Sequence, residues 1–207
     1  MKASLELEKN MNKAIWVVLL LPKALNDLCV EINNSHPKNS YIRFSEDWPP
    51  PHISLNQTIL SDSEIQQLIK SLEQIKIGPI TLKDFWIKNF TSSSSWSEVS
   101  YLVFESKNLK AMHEKVMSYC SGFERKEAKQ DHFLFSDDAS DGQLAYISEF
   151  EEKYAYENYA GHITLGKWHD DSKIEITNSQ CTQLWVFHLG PNWTCQEVLY
   201  KKIIIDT

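Results

Sequence analysis

Apolar residues recur along this chain at two spacings, every second position and every third to fourth, and the alternation between them predicts the elements. Residues 15–21 form an almost unbroken apolar run closed by Pro22, which reads as a buried strand. In residues 24–32, Leu25, Leu28, Cys29 and Ile32 return at helical spacing. A polar loop then leads to Pro49-Pro50-Pro51, which forces an extended entry into a second strand over residues 52–60. Asp62-Ser63-Glu64 opens a helix whose stripe is Ile65, Leu68, Ile69, Leu72 and Ile75, stopped by Gly78-Pro79. Strands are predicted over 80–90 and 100–104, flanking a serine-rich hairpin tip at 91–97. Leu109, Met112, His113, Val116 and Met117 mark a third helix, with Gly122 as a candidate C-cap. Residues 123–158 break the rhythm: charge clusters, turn signals at Asp137-Asp138 and Asp141-Gly142 and a helix over 144–154 read as an insertion or lid. Strands return at 161–168, 183–189 and 197–205, the last two a hairpin about Gly190-Pro191-Asn192. The order strand, helix, strand occurs in both halves, which points to an α+β fold with an internal duplication.

Composition narrows the class. The 207 residues are 42% apolar and 12% aromatic, enough for one cored domain. Lysine and arginine number 21 against 28 acids, a formal charge of −7, so no strong field exists to hold long duplex nucleic acid. A nucleotide or short single-stranded RNA fits better. Cys29, Cys120, Cys181 and Cys195 form no paired motif and read as free thiols. The apolar run at 14–22 is about half the length a bilayer span needs, and what precedes it is not a basic leader. A cytoplasmic monomer without membrane attachment is expected. Trp16 and Trp185, in apolar strands, are expected in the core.

One short pattern carries chemistry. His52-Ile53-Ser54-Leu55 and His162-Ile163-Thr164-Leu165 are the same device, each inside a predicted strand. Side chains at i and i+2 share a face, so each strand offers one imidazole and one hydroxyl while its aliphatic residues turn to the core. A single copy is common by chance; two copies about one lobe apart are not. Two imidazoles across a groove suit phosphodiester cleavage, where one proton leaves the attacking oxygen and another reaches the departing one. Histidine titrates near neutrality and can fill both roles. Ser54 and Thr164 would hydrogen-bond the non-bridging oxygens. No metal motif accompanies the pair, and neither metal nor other cofactor is expected.

On these paired motifs the chain resembles the 2H phosphoesterase superfamily, which includes the LigT-like RNA 2′,5′ ligases and cyclic nucleotide phosphodiesterases. The resemblance runs from Ile15 to Ile205 and includes the helix carrying Leu109-Lys110-Ala111-Met112-His113. Pro51 before His52 matches the usual proline, whereas Gly161 stands where the second motif commonly has one. It implies a single bilobal, pseudo-twofold domain over residues 1–207, with mainly antiparallel sheet around a central cleft and helices outside. The implied activity is a metal-independent phosphodiesterase on RNA or nucleotides, with 2′,3′-cyclic phosphates and 2′,5′ linkages foremost. Alternatives are a cyclic dinucleotide phosphodiesterase, an exonuclease trimming RNA 3′ ends, or a silent RNA-binding module. Further candidate contacts are Asn56 and Gly166, each at i+4 from a motif histidine, Trp168 at i+6, and Tyr156 and Tyr159 as platforms for a base. His113, on an apolar helical stripe, is expected to be structural, and His132 incidental.

Overall fold

A computed structural model describes residues 11–35, 50–90, 99–135, 139–166 and 178–204. The predicted strands form as β1 (Asn12–Leu20), β2 (His52–Ser61), β3 (Ile80–Phe90), β4 (Val99–Glu105), β5 (His162–Gly166), β7 (Gln183–Leu189) and β8 (Cys195–Ile203). A short polar strand, β6 (Asn178–Cys181), joins them at one edge. The helices are α1 (Lys23–Ser35), α2 (Asp62–Glu73), α3 (Leu109–Cys120), α4 (Asp141–Ser148) and the single turn α5 (Phe150–Lys153). Trp168 lies outside the described residues.

All eight strands belong to one antiparallel sheet in the order β6-β3-β4-β5-β2-β1-β7-β8. The two motif strands, β5 and β2, are the central pair. The units β1-α1-β2 and β4-α3-β5 occupy equivalent places about it, in keeping with the repeated strand, helix, strand order of the sequence. The α+β class and antiparallel sheet read from the sequence are therefore observed.

Strand alternation divides the sheet into two faces. One carries Ile15, Val17, Leu19, Ile53, Leu55, Leu102, Phe104, Ile163, Leu165, Leu184 and Val186. Against it pack Leu25, Cys29 and Ile32 of α1, Ile65, Leu68 and Leu72 of α2, and Leu109, Met112 and Val116 of α3. Each fully buried aliphatic side chain there contributes roughly 1.5–3 kcal/mol, so this core fixes the motif strands firmly. α2 begins at a capping box between Ser61 and Glu64, and Glu64 also pairs with Lys126 at 2.5 Å, tying this helix to the 123–158 segment. That segment crosses to the other face, where Ala128, Phe133, Ala139 and Ile147 bury Trp16, Val18 and Phe187. Among the described residues no helix is long and apolar enough to cross a membrane.

Candidate active site

The antiparallel register decides how the two motifs meet. Ile53 pairs with Ile163, so one step along each strand sets His52 opposite Thr164 and Ser54 opposite His162. All four side chains share the face away from the helices, since Ile53, Leu55, Ile163 and Leu165 are fully buried on the other. The histidines lie on a diagonal of the ladder, about 7–8 Å apart with their Cβ atoms somewhat closer, a gap of phosphate dimensions.

Both imidazoles are held the same way. His52 Nδ1 lies 2.8 Å from the Pro50 carbonyl oxygen and His162 Nδ1 lies 2.9 Å from that of Ala160. A carbonyl only accepts, so each Nδ1 carries the hydrogen and each Nε2 is left as the basic nitrogen. Burial pushes His52 down to about 4, against the opposing effect of the Pro50 carbonyl, and the neighbouring His162 lowers it further. Burial also draws His162 below the usual histidine range, partly offset by the Ala160 carbonyl. Each ring also meets an aromatic residue from the next strand outward. Trp16 of β1 stands edge-on to His52 at 4.4 Å between centroids, and Tyr101 of β4 tilts against His162 at 4.2 Å. Cys195 Sγ lies 4.0 Å from His52 Nδ1.

Several candidates fall elsewhere. Asn56 does not share the histidine face. The ladder to β1 steps from Ser54–Val18 to Asn56–Val17, leaving Leu55 as the extra residue of a bulge, and the strand rotates there. Asn56 consequently turns to the helix side, where its Nδ2 donates to Cys120 Sγ at 3.1 Å. Gln57 takes the place expected of Asn56: it pairs with Trp16, is 3% exposed, and among the described residues its buried Oε1 has no partner, as is true of Trp16 Nε1. Gly166 has φ of 80°, so its lack of a side chain serves a backbone turn at the irregular end of the β4–β5 ladder.

Tyr159 is wall rather than platform. Its hydroxyl donates to the Ser54 carbonyl at 2.8 Å and its ring stacks on His113 at 3.8 Å and 4°. Tyr156 stands beside the same histidine, its backbone N–H donating to His113 Nε2 at 2.9 Å and its ring exposed. His113 completes the strap with its Nδ1–H on the Leu55 carbonyl at 2.7 Å. His132 is also structural, its Nδ1 accepting from the Lys129 N–H at 3.2 Å.

A Cβ at Gly161 would lie 2.3 Å from Leu109 Cδ2, so a side chain there requires the buried Leu109 to move. A separate depression lined by Asn56, Thr58, Cys120, Arg125 and Glu151 contains no motif side chain. Trp185, expected in the core, is half-buried on the histidine face, with Lys201 Nζ 3.8 Å above its ring. Tyr101 and Gln57 are the neighbours that sequence reading missed. The apolar parity of Leu102 and Phe104 turns Tyr101 away from the core, but nothing in the sequence says that β4 lies beside β5.

No protein-family model and no curated protein matches the sequence. Solved structures do match in fold. E. coli LigT complexed with ATP superposes with a TM-score of 0.58 at 12% identity, over 94% of this chain and 99% of that one. The same protein complexed with 3′-AMP gives a TM-score of 0.54 at 13% identity, over 93% and 98%. TT0787 of Thermus thermophilus gives 0.54 at 13% identity, over 92% and 97%. The chain thus has the LigT-like fold over nearly its whole length.

Proposed function

We propose that this chain is a metal-independent phosphodiesterase acting on an RNA or nucleotide phosphodiester through His52 and His162 as general base and general acid. The carrying observation is the register that sets each motif histidine opposite the other motif's hydroxyl, with both imidazoles in the same tautomer. A phosphate lying between the strands has a basic nitrogen on either side of it. One imidazole takes the proton of the attacking oxygen, a water or a sugar hydroxyl, as that oxygen bonds to phosphorus. The other, protonated, gives its proton to the departing oxygen as the second P–O bond breaks. Ser54 and Thr164 donate hydrogen bonds to the non-bridging oxygens, where negative charge accumulates. Both proton transfers that a metal-bound hydroxide would otherwise serve are thereby provided for.

The nucleotide part of the reading draws on the fold neighbour LigT, whose structures contain ATP, NADP+ and 3′-AMP. Favoured substrates are 2′,3′-cyclic phosphates and 2′,5′-linked nucleotides, whose adjacent sugar oxygens place the attacking or leaving group beside the phosphate. The test is incubation in EDTA with 2′,3′-cyclic nucleotides, 2′,5′ and 3′,5′ oligonucleotides and cyclic dinucleotides. Turnover of a cyclic phosphate or 2′,5′ linkage in EDTA is expected. Activity that vanishes in EDTA and returns with magnesium or zinc would contradict the mechanism.

A further inference from the structure

The pseudo-twofold sheet is not equally covered on its histidine face. Beyond β2, the 123–158 segment fills the face, and Val18 and Phe187 are completely buried there. Beyond β5, the same face carries residues of β4 and β3 that remain accessible. The ladders continue His162 to Val103 and then Trp86, and Thr164 to Tyr101 and then Lys88. Val103 and Tyr101 are half-buried, Lys88 is exposed, and Trp86 is 49% exposed. None of these six positions is a carboxylate, in a chain of net charge −7.

A second irregularity puts Trp86 on this face. The β3–β4 ladder shifts between Lys83 and Trp86, and Asp84 adopts φ of 51°. Phe85 and Ile87 pack into the helix-side core, leaving Trp86 on the opposite side. An indole half open to water gives up burial that a core position would provide, and an isolated one needs no explanation. Here it stands two strand spacings, about 10 Å, from a candidate catalytic histidine, with a phenol and an ammonium group in the adjoining row. Aromatic faces interleaved with cations are the chemistry that holds single-stranded nucleic acid without reading its sequence.

We propose that the β3–β4 half of the face is a binding track for single-stranded oligonucleotide, with bases stacking on Tyr101 and Trp86 and Lys88 pairing with a phosphate. This rests on the phosphodiesterase reading and extends it: the substrate is a chain of several nucleotides whose scissile phosphate lies at the histidines. The insertion closes the β1–β7 half, so the strand runs in one direction, from β5 toward β3.

The test measures binding by fluorescence anisotropy with labelled 2′-O-methyl oligonucleotides of about two and about eight nucleotides. The parent is expected to bind the longer probe at least about ten-fold more tightly. Trp86→Ala, which alters an exposed side chain, should weaken the longer probe by about 5–100-fold and spare the shorter. Lys88→Ala should flatten the dependence of log Kd on log salt by about 0.7. Equal affinity for the two lengths, or an unchanged long-probe affinity in Trp86→Ala, would overturn the track. Turnover in EDTA of 2′,3′-cyclic nucleotides, 2′,5′ and 3′,5′ oligonucleotides and cyclic dinucleotides, measured on the same samples, separates the two readings. If turnover persists while the length effect is missing, the track alone fails; if the length effect persists and none of these phosphodiesters is turned over, the phosphodiesterase reading fails and only single-strand binding on β3 and β4 stands.

Discussion

Each motif histidine gives its Nδ1 hydrogen to the carbonyl two residues upstream, and that bond fixes which nitrogen can do chemistry. Catalysis by the pair needs one imidazole neutral and the other protonated, and in this cleft both titrate below their ordinary value of 6.5. For His52 the transition lies at about 4. The profile of kcat/KM against pH, which reports the free enzyme, should therefore be a bell whose maximum falls below the ordinary 6.5. Its acid limb is the loss of the neutral base and its alkaline limb the loss of the protonated acid. A maximum above pH 8 would contradict this arrangement.

The same depression affects stability, with a definite sign. Between about 4 and 6.5 the unfolded chain binds a proton at residue 52 that the folded chain does not. Stability from this group is thus complete above 6.5 and declines as pH falls toward about 4. Urea denaturation should show a smaller loss between pH 7 and pH 5 for His52→Phe than for the parent. Equal losses would show that residue 52 is not buried in its neutral form. The His-x-Ser/Thr-apolar repeat was legible at this scale because alternation in a strand is local. The roles of Asn56 and Gln57 were not, since one extra residue at Leu55 reverses the parity that i+4 counting assumes.

At the scale of elements, the strap joining the motifs is where local changes should cost most. His113 on α3 bonds the Leu55 carbonyl of β2 through one nitrogen and the Tyr156 N–H ahead of β5 through the other. His113→Ala leaves both backbone groups without these partners and removes the stacking surface of Tyr159, so a loss of roughly 2–5 kcal/mol in urea unfolding is expected. A change under about 0.5 kcal/mol would show that the strap contributes little. Gly161 belongs to the same junction: Gly161→Ala should destabilise the fold, because the added methyl meets Leu109.

Helices α1, α2 and α3 and the long strands were readable because their apolar residues keep one period for a dozen residues or so. The strand β6, Asn-Ser-Gln-Cys, was not, because pairing with β3 rather than any propensity of its own makes it a strand. The predicted helix over 144–154 is present as α4 and α5, separated at Glu149.

At the scale of the whole molecule, the β1-α1-β2 and β4-α3-β5 units present their motif strands side by side and their helices to one face, and the 123–158 segment covers part of the other. The repeated order of strand, helix and strand was visible in the sequence, but the central β5–β2 contact is tertiary and sets everything at the site. That contact is also what makes the two histidines a unit rather than two independent groups. Groups that act together in one step are not additive on removal, so losing the second adds little once the first is gone. The decisive measurement is kcat in EDTA for the parent, His52→Ala, His162→Ala and the double variant, on whichever phosphodiester the parent turns over. Each single substitution should lower kcat by about 10²–10⁴, and the double variant should be little worse than the weaker single. Near-parental turnover in either single variant, with its fold intact, would contradict a two-histidine mechanism.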